Sequence, residues 1–183
     1  MKSKRGFTLI ELLVVIIIII IIASTVVALM NVFFRGQGIR QASIVITQAF
    51  AQGKQLSCDQ RVVHFIVFTN APDGGRMQIY RDGNGNKTWD GAAMDPEISE
   101  RTIELPRFVM FIKNPQWVAF EPSGYVIFNT GFVELTPGAF EAAQSSNPPD
   151  GDLIIQMNNR PYKMTMDIER VTGKIRKSAF YAQ

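Results

Sequence analysis

The sequence predicts an α+β protein: one long N-terminal α-helix, its first half apolar and its second half amphipathic, packed against a C-terminal head of antiparallel β-sheet, folded as one sheet or two. Three observations predict it. From Phe7 to Val32 the chain is apolar apart from Thr8, Glu11, Ser24, Thr25 and Asn31. From Ile39 to Leu56 apolar or small residues return every three or four positions. From Arg61 onward, short runs of β-branched and aromatic residues alternate with Gly, Pro, Asn and Asp.

The apolar run spans 26 residues, and about 20 suffice to cross a bilayer as a helix. Its many isoleucines are mediocre helix formers in water. In lipid the backbone must satisfy its own hydrogen bonds, so the run becomes helical. The next stretch, "GIRQASIVITQAFAQGKQLSC", places Ile39, Ala42, Ile46, Ala49, Gly53 and Leu56 on one helix face. Gly36, Gly38 and Gly53 weaken the helix locally. A helix over 7–58 would be ~75–80 Å long at 1.5 Å per residue.

Strands follow from "RVVHFIVF" (61–68), "MQIYRD", "ISERTIELP", "RFVMFIK", "WVAFEPSGYVIF", "FVELT", "DLIIQMNN" and "YKMTMDIERVTGKIRKSAF". "NAPDGG" at 70–75 reads as a turn, and "PGAFEAAQSSNPPDGD" at 137–152 as a loop. Further turns fall at Pro122-Ser123-Gly124, Asn158-Asn159 and Thr172-Gly173.

The formal charge is +3, with 19 Lys and Arg against 16 Asp and Glu. Lys2, Lys4 and Arg5 precede the apolar run; without them 16 basic residues face 16 acidic ones. The basic isoelectric point near 9.1 therefore records a basic leader, as the positive-inside rule expects. Cys58 is the sole cysteine, so an intrachain disulfide is excluded, and it reads as a buried, inert residue near the helix end. His64 is the sole histidine, so a histidine-based zinc site or a Ser-His-Asp triad would have to be built around it; the expectation is an ordinary strand residue. Trp89 and Trp117 read as packing residues, and Phe180 and Tyr181 as closing the core.

Glu11 is the anomaly. A carboxylate inside a membrane helix costs roughly 2.5–3.5 kcal/mol on insertion scales, and such groups usually have a partner. A cleavable secretory signal has a shorter apolar region and no acid within it. "KRGFTLIELL" instead resembles the type IV prepilin signature: a short basic leader, Gly6, Phe7, then Glu11. The resemblance implies cleavage between Gly6 and Phe7 by a prepilin peptidase and N-methylation of Phe7. It also implies that Glu11 pairs with the Phe7 amine of a neighbouring subunit during assembly. In a low-dielectric core that pairing offsets much of the desolvation cost and fixes axial register.

The long helix, the β-rich head, "FEPSGYV" and the late "TGKIRK" resemble the GspH/FimT group within that family. The resemblance implies a pilin-like fold and a division of the chain into a cleaved leader (1–6), a transmembrane and filament-core helix (7–32), its amphipathic continuation (33–60) and a periplasmic head (61–183). It implies a minor pseudopilin of type II secretion, non-catalytic and without a cofactor. The chain would cross the bacterial inner membrane once, N-terminus in the cytoplasm. Its partners would be other pseudopilins or pilins, the peptidase and an inner-membrane assembly platform. The alternative is a T-type minor pilin that binds DNA.

Two stretches of the head invite ligands. Asp82, Asn84, Asn86, a carbonyl at Thr88 and Asp90 match the first nine positions of an EF-hand-like calcium loop, but the twelfth position is Ala93 where a glutamate is needed. The competing expectation is an Asn/Gly-rich hairpin loop. "GKIRK" places Lys174, Arg176 and Lys177 in a segment, 158–183, with six basic and two acidic residues. Such a strand can hold DNA phosphates, or serve as a solvated edge strand that resists aggregation. Some T-type members carry Gly-Arg-x-Arg there. Lys174 in place of the first arginine keeps the charge but loses the bidentate fork.

Overall fold

The computed structural model describes residues 9–34, 37–98, 102–129, 132, 151–158, 162–177 and 181–182, with the backbone alone at 25–34 and 181–182. The chain divides into two units, Met1–Gln37 and Gly38–Gln183. Of the helix expected over 7–58, the described residues form α1 (Leu9–Phe34) and α2 (Gln37–Gln60), and residues 7, 8, 35 and 36 lie outside them.

α1 is apolar on every side, as the sequence requires. α2 is amphipathic and buries Ile39, Ala42, Ser43, Ile46, Ala49, Phe50, Gly53 and Ser57. The face expected to end on Leu56 ends on Ser57, because a 3.6-residue period drifts off a strict three-or-four count over five turns. That drift also corrects the expectation for Cys58: it is exposed, one position past the buried face. α2 ends when Arg61 takes a left-handed conformation, φ 55°, which stops the helical hydrogen-bond ladder in the manner usually left to glycine.

Among the described residues the head has ten strands in two sheets. The first sheet has the order β3-β2-β1-β5-β6, formed by β1 (His64–Ala71), β2 (Gly74–Arg81), β3 (Ile103–Glu104), β5 (Trp117–Phe120) and β6 (Val126–Phe128). The second has the order β10-β8-β7-β4, with β9 also paired to β8. It comprises β4 (Val109–Lys113), β7 (Leu153–Met157), β8 (Tyr162–Ile168), β9 (Ile175–Lys177) and β10 (Tyr181–Ala182). All the pairings among the described residues are antiparallel.

The β1–β2 connection is tighter than expected. Asn70 and Ala71 belong to β1 and Gly74 and Gly75 to β2, leaving Pro72-Asp73 as the loop, with Ala71 opposite Gly74. The strand expected over 132–136 and the loop over 137–152 lie almost wholly outside the described residues, as do Asn159 and Phe180.

The main core joins α2 to both sheets. Ile39, Ile46 and Phe50 of α2 pack with Ile66, Phe68 and Phe120 of the first sheet and Val109, Leu153, Ile155 and Met166 of the second. Phe50 meets Phe120 edge-on at 5.4 Å between ring centroids. A side chain of this size, fully buried, contributes about 1.5–3 kcal/mol. The two glycines read as helix weakeners have a packing reason here. A Cβ at Gly38 would lie 2.7 Å from Met157 Cε, and one at Gly53 would lie 3.2 Å from Ile66 Cδ1 and Phe120 Cδ2. Each lets α2 lie close against a different sheet.

A second, smaller core lies on the other face of the first sheet. Phe65, Val67, Tyr80, Trp117 and Ala119 are buried there, with Trp89 and Ile127 packed against them. Phe65 and Trp117 stack edge-on at 5.4 Å, and Trp89 tilts onto Tyr80 at 5.8 Å. The 82–98 loop brings Trp89 to this face, so β1 is buried on both sides. Its near-continuous apolar run carries that meaning.

Candidate functional site

The described part of the N-terminal segment begins at Leu9, and Gly6 and Phe7 lie outside the described residues. Glu11 sits in the first turn of α1, where the helix dipole favours a carboxylate. Around and after it, large apolar side chains from Leu9 to Ile22 are exposed on all sides, from 46% at Val15 to 83% at Leu9. A helix apolar all round cannot be a water-facing surface element; it belongs in lipid or among other helices. Among the described residues no helix is long and apolar enough to cross a membrane.

The basic C-terminal residues come together on one hairpin. β9 is an edge strand antiparallel to β8, with Arg176 opposite Asp167 and Lys177 opposite Met166. Lys174, Arg176 and Lys177 are exposed. The strand is not a bare cationic ridge. Arg176 Nη2 lies 3.9 Å from Glu169 Oε1, and Lys177 Nζ reaches Ser43 Oγ of α2 at 3.4 Å. Partial burial lowers the Lys177 ammonium pKa. From the helix side, Lys54 Nζ donates to Thr172 O at 2.5 Å, tying the β8–β9 turn to α2.

The 82–97 loop uses its oxygens internally. Asp82 accepts the N–H groups of Gly85 at 2.7 Å and Lys87 at 2.9 Å. Asn84 Oδ1 accepts Asn86 N–H, and Asn86 Oδ1 accepts Thr88 N–H. Asp90 Oδ2 accepts from both the Asn84 and Asn86 amide nitrogens. Fully buried Asp95 accepts Gly83 N–H at 3.0 Å and Asp90 N–H at 2.8 Å. Four residues expected as calcium ligands thus lie together as a self-satisfied turn network. Among the described residues, no three His, Cys, Asp or Glu are placed to hold a metal ion. Lys87, at φ 60°, ties the loop to the β5–β6 turn through Glu121 at 2.8 Å. That contact raises the Lys87 pKa and lowers that of Glu121.

His64 and Ser57 form the nearest approach to a nucleophile–base pair. Ser57 Oγ lies 3.3 Å from His64 Nδ1. Both residues are fully buried. The Ser57 hydroxyl donates to Phe120 O at 2.5 Å, and His64 Nδ1 lies 2.8 Å from Val62 O. Nothing opens this pair to a substrate, so it reads as a structural knot joining α2, β1 and β5. Burial and nearby Arg81 lower the His64 pKa, against the opposing effect of the Val62 carbonyl. His64 Nε2 and Trp89 Nε1 are buried and have no hydrogen-bond partner among the described residues.

Sequence reasoning missed three contacts that organise the head: the second core under Trp89, the Lys54–Thr172 tie, and a clamp from Asn70 onto β4. Only the first had a signal, in the two-sided apolarity of 62–68.

Residues 1–27 match the family model described as the prokaryotic N-terminal methylation motif. The N-terminal segment is therefore type IV prepilin-like. Chains with this motif are membrane-anchored structural subunits that assemble into filaments with other pilins. No curated protein and no solved structure matches the chain.

Proposed function

We propose that this chain is a minor pseudopilin of the GspH/FimT group, a non-catalytic subunit of a type II secretion pseudopilus. The observation that carries the reading is the coincidence of the methylation motif over 1–27 with an α1 that is apolar on every side and holds one acid, Glu11, in its first turn. In this reading the peptidase cuts between Gly6 and Phe7, the new Phe7 amine is methylated, and Glu11 meets the amine of a neighbouring subunit. Residues 7–32 stay in the inner membrane until assembly, 33–60 continue the stem, and 61–183 form a periplasmic head. An assembly platform and other pseudopilins are its partners.

A second reading, a T-type minor pilin that binds DNA, is favoured by the exposed edge strand carrying Lys174, Arg176 and Lys177. Against it stand Asp167 and Glu169 beside Arg176, which offset part of the charge that phosphates would meet.

The deciding experiment removes the chain from its host and follows two outputs. Loss of protein export to the medium with DNA uptake intact supports the first reading; the opposite pattern supports the second. In parallel, the full chain in detergent is titrated with duplex DNA across a salt series beside a Lys174→Ala/Arg176→Ala variant. Salt-dependent binding that the variant loses would move the assignment to the second reading.

A further inference from the structure

Asn84-Gly85 is the sole Asn-Gly pair in the sequence, and such a pair carries its own reactivity. Glycine has no side chain to hinder its amide nitrogen, so that nitrogen can attack the carboxamide carbon of the asparagine before it. A new N–C bond forms, ammonia leaves with the carboxamide nitrogen, and a cyclic imide remains. Water then opens the imide and leaves aspartate or isoaspartate. Neither an oxidant nor a cofactor enters the balance. Asn84 and Gly85 are both exposed, and a Cβ at Gly85 would meet nothing within 4 Å, so packing gives the pair no shelter.

Hydrogen bonds shelter it instead. Gly85 N–H donates to Asp82 Oδ1 at 2.7 Å. The attack needs that nitrogen to lose its proton and turn toward Asn84 Cγ. The bond aims the N–H at a different side chain, and the Asp82 carboxylate, 5% exposed, opposes a second anion forming beside it. Asn84 is pinned as well: its Oδ1 accepts Asn86 N–H at 3.0 Å, and its Nδ2 donates to Asp90 Oδ2 at 2.9 Å. Gly85, at φ 77°, holds the turn in which these bonds form.

The same bonds decide what conversion does. The product acid lacks the donor that met Asp90 and sets a like charge against it. Isoaspartate also lengthens the main chain by a methylene, which moves Gly85 N–H off Asp82. Trp89 and the Lys87–Glu121 pair belong to this loop, so the cover over the second core loses its seat.

We propose that Asn84 is a spontaneous deamidation site guarded by Asp82, and that the 82–98 loop is thereby a one-way latch. While the loop is closed the pair is inert. Opening frees Gly85 N–H, water completes the conversion, and the product keeps the loop from closing again. The proposal needs neither the N-terminal motif nor the secretion reading, and its failure leaves both untouched.

The test follows the full chain in detergent, warmed at mildly alkaline pH. The tryptic peptide 82–87 reports the amide-to-acid mass gain, and its fragment ions separate Asn84 from Asn86. Each rate is divided by that of the same chain unfolded in urea, which cancels the intrinsic reactivity of the local sequence. The parent ratio should lie many-fold below unity, and Asp82→Ala should raise it several-fold. Asn86→Ala removes the Asp90 and Thr88 bonds but leaves Gly85 N–H on Asp82, so it should raise the ratio less. A parent ratio near unity overturns the proposal. So does an Asp82→Ala ratio equal to the parent's, or an Asn86→Ala ratio as high as that of Asp82→Ala. The latch itself is read with Asn84→Asp, which reproduces one product: its tryptophan emission should lie to the red of the parent's, and unchanged emission overturns the one-way step.

Discussion

Asn70 holds both backbone polar groups of Phe111 with its one side chain: its Nδ2 donates to Phe111 O at 2.8 Å, and its Oδ1 accepts Phe111 N–H at 3.0 Å. The two residues lie in different sheets, at the end of β1 and the middle of β4. The carboxamide serves as a one-residue strand that joins the sheets and closes an edge. Asn70→Ala leaves a part-buried donor and acceptor unpaired and should cost about 1–3 kcal/mol. Asn70→Asp, which keeps the shape but loses the donor, should cost a similar amount. Urea unfolding of the detergent-solubilised chain reads both; an unchanged midpoint for either would remove the clamp from the account.

The 82–98 loop should depend on one carboxylate. Asp95 is fully buried and takes two backbone N–H groups. Asp95→Ala strands both donors and should destabilise the loop by about 1–3 kcal/mol. Trp89 is carried by that loop, so its fluorescence should shift to the red in the folded variant while Trp117, seated in the sheet, stays blue. Emission identical to that of the parent chain would mean the loop is held by something else.

Acid should weaken the head through His64. Its pKa in the fold lies below the ordinary 6.5, so between those two values the unfolded chain binds the extra proton. Stability is then fully present above about pH 6.5 and falls as pH drops toward the lowered folded value. A His64→Gln variant, less stable at neutral pH, should show a flatter stability profile over that window. Parallel profiles for the two proteins would show that the acid sensitivity lies elsewhere.

Processing and assembly separate at two positions. Replacing Gly6 by leucine should leave the six-residue leader attached, which intact-mass measurement of the membrane fraction reads directly; mature protein beginning at Phe7 in that variant would refute the cleavage site. Glu11→Ala should be processed and inserted normally but enter filaments poorly. Filament incorporation at the parent level would sink the Glu11 pairing.

The helix faces and most strands were legible because each depends on local periodicity. Ile39, Ala42, Ile46 and Ala49 are buried as their spacing requires, and the turns at Pro122–Gly124 and Thr172–Gly173 fall where Gly and Pro put them. Boundaries moved where a non-glycine residue took a glycine's role, as Arg61 does at the end of α2. Cys58 was misplaced because its burial depends on accumulated helical phase. The 82–97 oxygens match a calcium spacing, but spacing carries no signal for the backbone amides that Asp82, Asn84 and Asn86 accept. The Asn70–Phe111 clamp joins residues 41 apart and has no sequence signature. At the N-terminus the reverse holds: Gly6, Phe7 and Glu11 are read from a short motif, and two of the three lie outside the described residues.

The close seating of α2 at Gly38 and Gly53 has a mechanical consequence. The two positions are 15 residues apart, about 22 Å along the axis at 1.5 Å per residue, and each is a notch filled by side chains of a different sheet. Rotating or sliding α2 would have to displace Met157 at one end and Ile66 and Phe120 at the other. A load applied along α2 is therefore shared between the two sheets at two separated points.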